Sequence, residues 1–116
     1  MKTIICLALI VMFGLMGSCT MNPHPMDMTQ AIQSATTRSD QENLAKHYED
    51  AAKEMQAKAA EHKQMLAKYE ANKSLYGKQA QSLISHCSGM VRIYEQAAAE
   101  NTSMAEAHRQ AAAEAK

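Results

Sequence analysis

Three groups of side chains in this 116-residue chain have types and spacings that could do chemistry. The first is a set of soft donors, His62 and Met65 on one segment and His86, Cys87 and Met90 on another. Imidazole, thiolate and thioether together suit Cu(I) or Zn²⁺. His62 and Met65 lie three apart and His86 and Met90 four apart, so each pair sits on neighbouring faces of a helix. His86 and Cys87 are adjacent and diverge by about 100° around a helix, so both cannot sit centrally on one seam. The second group is Met21, His24, Met26 and Met28, a short cluster with the same taste for Cu(I). Methionines at helical spacing ordinarily fill cores, and a seam histidine ordinarily bonds a polar neighbour. Copper or zinc binding through His62, Cys87, His86, Met65 and Met90 is therefore the second reading, behind a packing role. The third group is the glutamates, which fall on helix flanks where they meet lysine at i,i+4, as Glu54 meets Lys58. A solvated charged face accounts for them. The sequence has no Ser/His/Asp grouping, no glycine-rich phosphate loop and no CxxCH haem motif, and no enzymatic role is expected.

The elements that must position these residues are two copies of one stretch. Residues 44–65 and 90–111, slid by 46 positions, share eight identities, among them Tyr48/Tyr94, Glu49/Glu95, Ala52/Ala98, Ala59/Ala105 and His62/His108. Two further positions keep a positive charge, Lys46/Arg92 and Lys63/Arg109. Tyrosine and histidine returning together at a 14-residue interval point to a duplication. Apolar or small residues recur in steps of three and four at Leu44, Tyr48, Ala52, Met55, Ala59, His62, Leu66 and Tyr69. A second stripe runs through Ala80, Leu83/Ile84, Cys87, Val91, Tyr94, Ala98, Asn101, Ala105, His108 and Ala112. This is amphipathic helix periodicity.

Ser39 followed by Glu42 reads as a capping box, so the first helix is predicted over about 40–72. Asn72 to Gly77 breaks the pattern, and the second helix is predicted over about 78–114. So short a connection makes the helices antiparallel neighbours. A reversal near 74–75 would set His62 opposite Cys87, Tyr48 opposite Asn101, Met55 opposite Tyr94 and His108 opposite Gln41. In that register His108 tethers the chain end to the start of the first helix, and Cys87 points inward. His47 falls off the stripe and is expected at the surface. The fold expected is all-α, a long coiled-coil-like hairpin. Its alanine-rich seam buries little area per residue, which favours pairing of hairpins into a four-helix bundle.

Composition agrees with long helices and limits the partners. One Phe, no Trp and an excess of Ala, Glu, Gln, Lys and Met suit helix rather than sheet. The formal charge of zero gives no reason to expect nucleic acid.

The N-terminus carries a different signal. Lys2 is followed by an apolar run from Ile4 to Met16, 13 residues long. A spanning helix needs roughly 20 apolar residues, so this run is too short for one and has the layout of a secretory signal peptide. Leu15-Met16-Gly17-Ser18-Cys19 closes it and resembles the lipobox of bacterial lipoproteins, with Met16 standing where Leu is usual. The resemblance implies cleavage before Cys19, acylation of that residue (diacylglycerol and an amide-linked fatty acid such as palmitate) and attachment to membrane lipid. Thr20 is not the Asp that retains enteric lipoproteins in the inner membrane, which implies the outer membrane, facing the periplasm. Residues 1–18 carry one lysine, so 11 basic and 12 acidic residues remain. Cys6 would be removed and Cys19 acylated, leaving Cys87 with no partner for an intramolecular disulfide. Three segments result: a signal peptide over 1–18, a lipidated Cys and tether over 19–39, and a helical hairpin over 40–116. A short helical turn is foreseen at 29–34 within the tether.

The whole arrangement resembles small bacterial envelope lipoproteins in which a duplicated Tyr/His-bearing helix follows the signal. The implied role is structural or protein-interacting, with self-association. A slighter resemblance is to the major outer-membrane lipoprotein whose terminal lysine joins the cell wall, since this chain ends in Lys116. The residues before it, AAAEA, depart from that family's basic, Tyr-containing ending, which argues against wall linkage.

Overall fold

The computed structural model describes residues 26–115, and the expectations for the signal peptide, Cys19, Met21, His24 and Lys116 lie outside them. Among the described residues every element is helical. Helix α1 is Met28–Ser34, α2 is Arg38–Ala71, α3 is Lys73–Tyr76 and α4 is Ala80–Glu114, with a 3-10 turn at Gly77–Gln79 before α4. The fold is a pair of long antiparallel helices, α2 and α4, of 34 and 35 residues. At 1.5 Å rise each is about 50 Å long.

Helix α1 supplies the short turn foreseen at 29–34. It is capped by Asp27, whose side chain accepts from the Gln30 backbone N–H at 3.2 Å, and among the described elements it packs against α2.

Helix α2 opens two residues before the expected start, because the capping box that forms is not the one read from the sequence. Thr37 is the N-cap and Asp40 its reciprocal partner. The Thr37 hydroxyl accepts from the Asp40 N–H at 3.2 Å, and the Asp40 carboxylate accepts from the Thr37 N–H at 2.9 Å. Glu42, expected to close a box on Ser39, instead takes the Arg38 guanidinium at 3.0 Å. Asp40 closes the box at lower entropic cost because its shorter side chain has fewer rotamers to fix.

The core follows the two stripes closely. The buried residues are Leu44, Ala45, Ala52 and Ala59 on α2, and Ala80, Cys87, Ala98, Ala105 and Ala112 on α4. Tyr48, Met55, His62, Leu66 and Tyr69 are half-buried beside them, as are Val91, Tyr94, Asn101 and His108. Ala45, Ala52 and Ala59 are seven apart, and so are Ala98, Ala105 and Ala112. A strict seven-residue repeat keeps one seam facing the partner helix, and alanine lets the two backbones close up. Only Leu44 and Cys87 are larger than alanine in this set, so the seam gains from close contact rather than from area.

The connection is longer than the reversal expected at 74–75. Asn72 bonds back to the Lys68 carbonyl through its side chain at 2.8 Å and ends α2. The chain then makes the extra turn of α3 and reverses at Gly77, whose φ of +54° suits glycine. The Tyr69 and Tyr76 rings meet edge to face at 4.9 Å and close this end of the hairpin.

Two seam contacts lie beyond the facing pairs expected. Tyr48 stacks on His108 and His62 packs on Tyr94. Both pairs lie seven positions further along α4 than a reversal at 74–75 implies. The pairing of His108 with Gln41 is present as expected, because each seam residue lies between two facing layers.

Candidate functional site

The duplicated Tyr-Glu and His-cation elements form two clamps that join the helices reciprocally. In the first, Tyr48 and Glu49 of α2 meet His108 and Arg109 of α4. The Tyr48 and His108 rings stack at 5.4 Å with 7° between their planes, and Glu49 pairs with Arg109. In the second, Tyr94 and Glu95 of α4 meet His62 and Lys63 of α2. Here the rings lie 5.5 Å apart, tilted by 34°, and Lys63 pairs with Glu95 at 2.5 Å. Each clamp uses the first half of one repeat and the second half of the other. A two-fold axis between α2 and α4 therefore relates them, as duplication followed by a hairpin reversal requires.

The clamps border a groove with the same symmetry. One half, about 340 Å³, is floored by Ala59 and Ala98 and ends at the Lys63–Glu95 pair. The other, about 270 Å³, is floored by Ala52 and Ala105 and ends at the Glu49–Arg109 pair. Gln56 and Thr102, themselves repeat counterparts, line both halves. The groove follows from the seam, since alanine leaves room that a larger side chain would fill.

Where the clamps differ, the sequence explains it. The Gln41 amide donates to the Ala35 carbonyl at 3.2 Å, which turns its oxygen toward His108. His108 Nδ1 therefore donates to Gln41 Oε1, at 2.8 Å, and holds the end of α4 to the start of α2. The 46-residue counterpart of Gln41 is Cys87, a far poorer acceptor. His62 Nδ1 is accordingly buried with no hydrogen-bond partner, and so is His108 Nε2. The second clamp carries an additional cation. Lys58 stands 5.9 Å from the Tyr94 ring centre, and its hydrogen bond to Glu54, at 2.9 Å, raises its pKa. That bond is the i,i+4 pair expected from the sequence.

The soft-donor residues are only partly gathered. The His62 and His86 rings approach edge to face at 6.1 Å, although His86 is mostly exposed. Cys87 points inward, 1 % exposed, and its thiol is free. Met65 and Met90 are half-buried. Among the described residues no group of three or more His, Cys, Asp or Glu could hold a metal ion, so a ligand set here needs methionine sulfur as well. His47, expected at the surface, is half-buried with its ring edge-on to Tyr48 at 5.6 Å.

Sequence reasoning found every clamp residue as a repeat match but did not see that the repeats bind each other. The signal was present, because Tyr-Glu in one copy and His-cation in the other are complementary polar elements that both copies keep. No helix among the described residues is long and apolar enough to cross a membrane. No protein-family model matches the chain, and neither does any curated protein or solved structure with which it was compared.

Proposed function

We propose that this chain is a lipid-anchored protein of the bacterial cell envelope whose helical hairpin has a structural or protein-interaction role and self-associates. The observation that carries the reading is the pair of reciprocal clamps. The conspicuous polar residues of the repeat are spent on holding α2 to α4, which makes a stiff rod. The lipobox-like Leu15–Cys19 supports an anchor through acylated Cys19, and Thr20 supports the outer membrane, facing the periplasm. Self-association is supported by a core in which seven of nine buried residues are alanine. Replacing Cys19 with alanine and fractionating the cells tests the anchor. The variant should leave the membrane fraction, and the wild type should carry acyl mass. Retention of the variant, with no acyl mass on the wild type, refutes it.

A second reading is soft-metal binding, copper or zinc, at His62, His86, Cys87, Met65 and Met90. The buried, unpartnered His62 Nδ1 beside His86 favours it. Metal analysis of protein purified without chelators separates the readings. Stoichiometric copper or zinc that His62→Leu abolishes, with helicity retained, would establish the second.

A further inference from the structure

The two long helices share a repeat, yet their outer faces differ in one respect that the hairpin does not use. Helix α2 carries 13 charged residues in 34, and α4 carries six in 35. The positions where α4 lacks a charge that α2 carries are spread around the helix, and one of them, Met104, lies on an apolar stripe. Leu83, Met90, Ala97, Met104 and Ala111 recur every seven residues, with Ile93 between them on the side away from α2. The charges beside this stripe are Glu100, three residues after Ala97, and Glu114, three after Ala111. The α2 counterparts of Ile93 and Met104 are the polar His47 and Lys58, while those of Met90, Ala97 and Ala111 are Leu44, Ala51 and Met65. Duplication therefore produced two like seams, but among the described residues of the two long helices only α4 leaves large apolar side chains exposed beside its seam. Ile93 is 53 % exposed and Met104 41 % exposed. The other large exposed apolar residues among those described, Ile32 and Leu75, lie on α1 and in the connection.

We infer that this α4 stripe is the surface through which two copies of the chain pair, with the two α4 helices antiparallel about a two-fold axis at Ala97. The inference rests on the self-association proposed above and names its face and orientation. Three observations select a second copy as the occupant. The stripe has the seven-residue spacing of a helix seam, so another long helix fits it. It is also self-complementary about Ala97, the midpoint of α4. Met90 then meets Met104 of the second copy, Leu83 meets the small Ala111, and Ala97 meets itself. The contact is about 42 Å long, from Leu83 to Ala111, at 1.5 Å per residue. Finally, Glu100 selects the orientation. A parallel pair in register would set two Glu100 carboxylates side by side, whereas the antiparallel pair moves each away to the level of Tyr94. The start of each α2 then projects from an opposite end of the assembly, so a lipid-anchored pair lies along the membrane surface.

Cysteine cross-linking of the full chain in detergent, beside sedimentation of the same samples, tests this. The parent chain serves as the reference for Cys6, Cys19 and the buried Cys87. Ala97→Cys should give a disulfide dimer at least tenfold above the parent, because a two-fold axis there brings the Cα atoms near the ~4–7 Å a disulfide requires. Met90→Cys and Met104→Cys should each give little alone and a strong dimer when the two variants are mixed. Ile93→Glu combined with Met104→Glu should keep the helical signal and sediment as monomer. Dimers that cross-link at Gln56→Cys in the groove and not at Ala97→Cys overturn the inference while leaving self-association standing. Strong homodimers at Met90→Cys and Met104→Cys alone overturn the antiparallel orientation. A parent chain that sediments as monomer at all concentrations overturns both this inference and the self-association it rests on.

Discussion

The clamps permit one chemical change to be made at two repeat-related positions with opposite expected effects. His108→Leu removes the Nδ1–H that donates to Gln41 at 2.8 Å in a part-buried setting, together with the stack on Tyr48. Losing a hydrogen bond of this kind costs about 0.5–1.5 kcal/mol, and losing the ring pair about 0.5–1.5 kcal/mol more. Leucine returns part of this by apolar burial, which leaves a net loss of about 1–2 kcal/mol. His62→Leu removes a ring whose Nδ1 is already buried without a partner. Relief of an unpaired buried group is worth about 1–3 kcal/mol, which offsets the loss of the Tyr94 and His86 contacts. That variant should be neutral or more stable. The difference of about 1–3 kcal/mol corresponds to roughly 4–24 °C between midpoints, at 4–8 °C per kcal/mol for a domain of this size. Thermal melts followed by circular dichroism, on full chains at equal concentration, measure it. His108→Leu melting at or above His62→Leu would refute the reading of the two clamps as unequal, and with it the role given to Gln41.

Thr37→Ala should cost about 1 kcal/mol, and Ser39→Ala should be nearly silent, because Thr37 and Asp40 form the cap. Hydrogen exchange in the first turn of α2 reads the difference, and the opposite order would restore the box on Ser39. Hydrogen bonds from the Thr37 hydroxyl, the Thr37 N–H and the Thr36 N–H hold the Asp40 carboxyl below its usual 3.8. A carboxyl depressed in the folded state stabilises it above that usual value, and the contribution is lost as pH falls through the lower folded value. The melting point should therefore drop in acid, by less in Asp40→Asn than in wild type; an unchanged acid slope in Asp40→Asn removes Asp40 as a contributor. Gly77→Ala, in open space but at φ +54°, should cost about 1 kcal/mol, while Gly89→Ala inside α4 should gain about 0.5–1 kcal/mol. Equal melting points for the two glycine variants would contradict the turn geometry.

Periodicity and repetition in the amino-acid sequence settled the larger part of the fold. Alanine, tyrosine and histidine at steps of three and four define one buried stripe on each of two helices, and every stripe residue expected is buried or half-buried. The inward thiol of Cys87 and the tie from His108 to Gln41 were legible for the same reason, since both lie on that stripe. The tertiary structure alone decided which layer of α2 faces which layer of α4. The seven-residue repeat makes registers one heptad apart equally apolar, so hydrophobic patterning cannot choose between them. The choice fell to the connection, where α3 and the reversal at Gly77 add a turn and set the layer at which His62 packs on Tyr94. From that layer follow the two clamps, while the unpartnered His62 Nδ1 follows from Cys87 standing where the other repeat has Gln41.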